Sequence, residues 1–255
     1  MKLELKKSLG QHFLINTDIL MRINEEIVVL EPHDIMVEVG PGMGALTAYS
    51  LQNKFKDYFV IEMDDRFVVE LPKKYPQLEG KIVHKDVLQV DLSHFNSKDL
   101  TIIGNFPYNI STQIVFLMIE NVHQVDKSIG MFQKEVAKRI ASSHGVKDYG
   151  ILSVLTQALY EVEYLFDIDA IHFDPPPKVV SGVISMKRRL EPKAEYKKLK
   201  ILVKAAFNQR RKMLSNSIKG IQLEPNPLYE ELKNLRPEQI SIDQFCQLSQ
   251  YVMTK

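Results

Sequence analysis

The chain has 255 residues, of which 45% are hydrophobic and 25% charged, with a formal net charge of +1. This is the composition of a globular protein with room for one large domain and a smaller one, and it excludes disordered, collagen-like and disulfide-scaffold classes. A single cysteine, Cys246, rules out an internal disulfide and fits a reducing compartment, and the seven histidines form no His-Glu-x-x-His motif that would hold a catalytic metal.

The leader Met1-Lys2-Leu3-Glu4-Leu5-Lys6-Lys7 carries an acid and lacks the apolar centre of a signal peptide, and no later run is long enough to span a bilayer. A soluble cytoplasmic protein is expected. Ser8-Leu9-Gly10-Gln11-His12-Phe13-Leu14 has neither helical nor strand periodicity, yet its apolar residues need cover, so it is expected to pack over another element. Asn16 or Thr17 then caps a helix whose Ile19, Leu20, Ile23, Ile27 and Leu30 share one face before Pro32.

Ile35 to Val39 reads as the first strand, and Gly40-Pro41-Gly42-Met43-Gly44 turns it into a helix predicted to begin near Ala45. Small residues let a ligand approach the backbone there, and a helix start offers free N–H groups. Gly40-x-Gly42-x-x-Ala45 also satisfies the dinucleotide fingerprint, so a dehydrogenase stays open at this point. The next strand, Tyr58 to Ile61, ends on Glu62, at the separation from the glycines expected of an acid that binds a ribose diol. NAD and S-adenosylmethionine both carry such a diol. A third strand, Lys81 to His84, is followed by Asp86, which is either an acceptor for an adenine amino group or a turn cap.

Leu100 to Ile103 is too short an apolar run for a helix and reads as a parallel strand covered on both faces, closed by Gly104 and Asn105-Phe106-Pro107-Tyr108. The Asn105 side-chain carbonyl and the Phe106 main-chain carbonyl can together accept two hydrogen bonds from one exocyclic amino group, with Tyr108 stacked on the ring that bears it. Taken alone, the tetrapeptide favours a plain Asn-x-Pro turn that closes a strand with a tyrosine in the core. Ser111 or Thr112 is expected to cap the next helix, through Ile119. A strand from Lys127 to Phe132 follows, then helices over about Gln133–Ser142 and Tyr149–Tyr160, and strands over Glu163–Ile168 and Val179–Met186. Between those two strands, Pro175, Pro176 and Pro177 stiffen a loop that is expected to present Phe173 as a platform.

Beyond Arg189 strand patterning stops. Helices are expected over Tyr196–Phe207, Arg210–Ser217 and Leu228–Leu235, with a last one introduced by a Ser241/Gln244 capping box. The division expected is therefore 1–189 and 190–255. From Lys187 to Gly220 twelve cations face only Glu191 and Glu195, net +10 in a chain of net +1. That asymmetry suits a polyanion-binding appendage, with Arg210, Arg211 and Lys212 its densest run.

In this order, Gly10-Gln11-His12-Phe13-Leu14, Glu38 to Gly44, Glu62, Asp86, Asn105 to Tyr108, Phe173 to Val179 and Ala206 to Lys212 resemble the KsgA/RsmA-type ribosomal RNA adenine N6,N6-dimethyltransferases over nearly the whole chain. The resemblance implies an α/β fold with a seven-stranded, Rossmann-like class I methyltransferase sheet and a small all-helical C-terminal RNA-binding domain. It implies S-adenosylmethionine as cofactor, held by His12, Leu14, Gly40, Glu62, Asp86 and Asn105. Asn105, Phe106 and Tyr108 are then the catalytic residues, Tyr108, Phe173, Arg210, Arg211 and Lys212 contact substrate, and no metal is required. The implied partner of the chain, expected as a monomer, is the rRNA of the immature small subunit. His12 stands where many relatives have Asn, and Phe106 where they usually have Leu. Two alternatives remain: a large-subunit adenine methyltransferase of the macrolide-resistance type, and an RNA-binding assembly factor without turnover.

Overall fold

A computed structural model describes residues 11–30 and 34–253. The leader, Ser8 to Gly10 and Pro32 lie outside the described residues. In chain order the structure runs β1 (Phe13–Leu14), α1 (Thr17–Val29), β2 (Ile35–Val39), α2 (Thr47–Ser50), β3 (Asp57–Glu62), α3 (Asp65–Lys74), β4 (Ile82–His84), β5 (Leu100–Asn105), α4 (Ser111–Glu120), β6 (Val125–Gln133), α5 (Lys134–Ala141), α6 (Ile151–Leu159), β7 (Tyr160–Ile168), β8 (Phe173–Asp174) and β9 (Ser181–Arg188). Four helices follow: α7 (Tyr196–Asn208), α8 (Leu214–Ser217), α9 (Pro227–Leu232) and α10 (Ile242–Ser249). Among the described residues no helix is long and apolar enough to cross a membrane.

The main sheet has seven strands in the order β4-β3-β2-β5-β6-β9-β7. β2 pairs in parallel with β3 and with β5, and β6 pairs antiparallel with β9. Successive crossovers run outward from β2 in one direction to β3 and β4, and in the other to β5 and β6. The sheet therefore reverses its winding between β2 and β5, the place where an open α/β sheet leaves a crevice at its carboxyl edge. Every residue of β2 is buried, as its apolar run requires. A two-stranded ribbon of β1 and β8 is separate from this sheet.

The chain divides into two compact units, Met1–Ala137 with Glu163–Lys187, and Lys138–Val162 with Arg188–Lys255. In the second, α6 packs on α7 and α10. Its core is aromatic: Tyr149 donates to the Ile240 carbonyl at 2.9 Å and meets Phe207 edge-on, and Phe207 lies 5.7 Å from Phe245. The break in strand patterning at Arg189 could not reveal that an earlier helix joins this unit.

Four local expectations need correction. The helix after the glycine turn starts at Thr47 and has four residues, so it lacks the stacked peptide dipoles with which a dinucleotide fold holds a pyrophosphate. α3 was not foreseen, because Pro72 interrupts its pattern near the end. Neither Ser111 nor Thr112 caps α4: Ile110 holds that position, and the Ser111 hydroxyl turns back to the Tyr108 carbonyl at 3.2 Å. Residues 209–212 form a turn, and α8 begins only at Leu214.

Two buried features fix the crevice. Gly104 and Gly130 are direct neighbours across β5 and β6, and the Phe106 ring, wholly buried, lies against both and meets Phe132 edge-on. A Cβ on Gly130 would fall 2.3 Å from the Phe106 ring and 2.5 Å from Phe132. Gly130→Ala is expected to lower unfolding free energy by about 1–3 kcal/mol through overpacking, measured by urea denaturation. Glu38, 1% exposed, accepts from the Thr47 hydroxyl at 2.6 Å and the Tyr58 hydroxyl at 2.5 Å. Burial raises its pKa from 4.5 to about 7, against the pull of those two hydrogen bonds. Below pH 4.5 the carboxyl is neutral folded or unfolded. As pH rises through 7 the unfolded chain ionises first, and the folded state loses relative stability. Glu38→Gln cannot ionise, so between pH 5 and 8 its stability should rise relative to the parent by roughly 2–3 kcal/mol, read from denaturation midpoints.

Candidate active site

The carboxyl ends of β2, β3, β4 and β5 surround one cavity of about 270 Å³, and every residue assigned from the motifs to the cofactor lines it: His12, Leu14, Gly40, Glu62, Asp86 and Asn105. Gly40 and Gly42 have φ of +65° and +55°, a conformation that L side chains rarely adopt. Gly42 is also needed for space, since a Cβ there would meet the Phe13 ring at 2.6 Å. Its N–H donates to Glu62 Oε2 at 3.3 Å, while Glu62 Oε1 accepts from the Met63 and Asp64 N–H groups, each at 2.7 Å. Burial raises the Glu62 pKa, and these three main-chain donors oppose the rise. The carboxylate is thus held rigidly beside the glycine turn, with lone pairs left to accept from a diol. Asp86, half-buried at the end of β4, accepts from the Leu88 N–H at 3.0 Å. The donor and acceptor set fits a ribosyl adenine.

Residues 11–15 cross the cavity as a strap. Phe13 pairs with Asp174 and Leu14 with Phe173 across the β1/β8 ribbon, and the Phe13 ring meets Phe67 edge-on. His12 Nδ1 lies 2.8 Å from the Pro175 carbonyl, which can only accept, so Nδ1 carries the hydrogen. The His12 ring stacks on Tyr108 with centroids 5.6 Å apart, and Tyr108 shares a hydrogen bond with the Ser181 hydroxyl.

Asn105 Nδ2 donates to the His12 carbonyl at 2.7 Å. That contact orients the amide: its nitrogen is taken, and Oδ1 is left as an acceptor. Among the described residues no hydrogen bond ends on the Phe106 carbonyl. Phe106 is wholly buried and is among the residues that line the cavity. Tyr108 is half-buried and lines the same cavity.

Two residues assigned to substrate have partners within the protein. Phe173 is 3% exposed and belongs to the hydrophobic core around Leu14 and Ile168, so its ring anchors the strap and does not form an open platform. Arg210 donates to the Lys147 and Val146 carbonyls at 2.8 and 3.3 Å and lies 3.5 Å from Glu238, so its guanidinium ties segments of the helical unit together. Arg211 and Lys212 are exposed in the adjoining turn. Among the described residues no group of three His, Cys, Asp or Glu side chains stands as a metal site would need. Sequence reading gave no separate role to Glu38, Gln11 or Asp64. The last follows Glu62 by two residues, and only its complete burial marks it out.

The family model described as ribosomal RNA adenine dimethylase matches residues 2–254. A ribosomal RNA small subunit methyltransferase A from Cytophaga hutchinsonii is 41% identical over 256 residues, covering 100% of this chain and 99% of its own. One from Bacteroides thetaiotaomicron is 47% identical over 251 residues, covering 97% and 93%. Among solved structures, a dimethyladenosine transferase from Plasmodium falciparum superposes with a TM-score of 0.80 at 22% identity, covering 95% of this chain and 100% of its own. That likeness supports the fold, and the full-length sequence matches carry the family. With the nucleoside-fitting crevice at its switch point, the chain belongs to the ribosomal RNA adenine dimethylase family, S-adenosylmethionine-dependent methyltransferases of the class I fold.

Proposed function

We propose that this protein dimethylates the N6 amino groups of two adjacent adenosines near the 3′ end of 16S rRNA. It acts as a cytoplasmic monomer on the immature small ribosomal subunit. The observation that carries the chemistry is the Asn105 amide held by the His12 carbonyl, which leaves Asn105 Oδ1 and the Phe106 carbonyl as two acceptors beside the cavity.

An adenine amino nitrogen is a poor nucleophile because its lone pair is delocalised into the ring. Two acceptors on its hydrogens favour a pyramidal nitrogen and direct the lone pair. S-adenosylmethionine supplies an electrophilic methyl on a sulfonium that leaves as a neutral thioether. Glu62 and Asp86 orient its nucleoside, and His12 and Leu14 close over it. As the N–C bond forms the C–S bond breaks, and the methylated nitrogen, made acidic by its new positive charge, releases one proton to water; orientation and electrostatics then supply most of the rate, with no charged base required. Drawing the target base from its stack costs a few kcal/mol, and stacking on Tyr108 returns about 1–3 kcal/mol. Arg211 and Lys212, exposed within the basic segment, supply non-specific phosphate attraction.

The test is transfer of a radiolabelled methyl group to immature small subunits and, in parallel, to unmodified large-subunit rRNA, followed by mapping of the modified nucleotides. Two neighbouring dimethyladenosines near the 3′ end of the small-subunit rRNA are expected. Label confined to large-subunit rRNA, or binding without transfer, would overturn the assignment.

A further inference from the structure

The Asp64 carboxylate is completely buried and takes Arg66 through Nε at 2.9 Å and Nη2 at 2.6 Å. It also takes Gln11 Nε2 at 3.0 Å. The Asp64 main-chain N–H meanwhile donates to Glu62 Oε1, and the residue after Gln11 offers its carbonyl to Asn105 Nδ2. A chain of hydrogen bonds and covalent links therefore joins the acid assigned to the cofactor ribose with the amide assigned to the target amine, through buried Asp64 and through Gln11, which itself lines the cavity.

From this path we propose that Gln11 and Asp64 are positioning residues: their hydrogen bond sets the register of the strap so that the His12 carbonyl keeps Asn105 Oδ1 facing the target amine. The inference rests on the Asn105 role proposed above. Its physical basis is short. Gln11 and His12 are consecutive, so when release of the Gln11 side chain lets the backbone of Gln11 shift, His12 turns with it, and its carbonyl, in the peptide unit that follows, is the one that holds Asn105. Once released, the amide can rotate half a turn and present N–H donors to an amine that needs acceptors. The hydrogen bond itself is of the stronger kind, because its acceptor is a carboxylate.

A charge exchange tests this. Gln11→Glu sets a second carboxylate against buried Asp64 and should open the contact. At saturating cofactor, the single-turnover methyl-transfer rate is expected to fall at least tenfold with RNA affinity within about twofold of the parent. In cofactor-free protein, hydrogen exchange at the Ile15 amide, bonded to the His172 carbonyl at 2.9 Å, is expected to accelerate. Adding Asp64→Asn reverses the hydrogen bond: the new amide donates to the new carboxylate, which also replaces the negative charge beside Arg66. Rate and exchange are expected to return to within about threefold of the parent. Gln11→Ala, which leaves the Asp64–Arg66 pair intact, serves as the gentler variant and should slow transfer about threefold. Parent-like rate and exchange in Gln11→Glu would overturn the proposal, as would a folded double variant no better than the single one. Parent protein that transfers no methyl group would count against the proposed function instead, and the exchange measurements would still judge the Gln11–Asp64 contact.

Discussion

A primary amide has a donor end and an acceptor end of nearly the same shape, and this crevice depends on which end of Asn105 faces inward. The His12 carbonyl decides it by taking Nδ2 at 2.7 Å. His12 is itself held by the Pro175 carbonyl at its ring nitrogen and by the β1/β8 ribbon immediately after it. The polyproline loop, the N-terminal strap and the end of β5 thus converge on one hydrogen bond. Gly104 and Gly130 serve the same end, because the space they leave is filled by the Phe106 ring, which fixes the residue that follows Asn105.

The acids follow a second rule. Glu62 and Asp86 sit at the ends of adjacent strands and take main-chain N–H donors, which hold each in place. A cofactor bearing a diol and an amine can then add to them directly. Glu38 takes the opposite course. With hydroxyls as its only described donors and Glu62 nearby, burial dominates, and its pKa rises to about 7.

Much of this was legible in the residues. Short apolar runs ending in Gly40, Glu62 and Asn105 gave the parallel strands and the edge on which ligands lie, since pattern and terminus are local properties. The four-residue length of α2 was not legible, because nothing in Thr47 to Ser50 opposes a longer helix. The surroundings of Phe173 and Arg210 were not legible for a different reason. An aromatic beside three prolines and an arginine in a basic run are both apt for RNA, and only tertiary packing reveals that one is core and the other bound to carbonyls. Burial of Asp64 likewise depends on the strap and Arg66 meeting there, which no spacing announces.

The central claim is that Asn105 acts through its side-chain oxygen on the target amine. Its most direct measurement is the single-turnover methyl-transfer rate of Asn105→Ala on immature small subunits, at saturating cofactor and with RNA affinity determined separately. Loss of one preorganised hydrogen-bonding group predicts a fall of roughly 10²-fold or more with RNA binding little changed. A variant that transfers methyl groups at the parent rate would contradict the account.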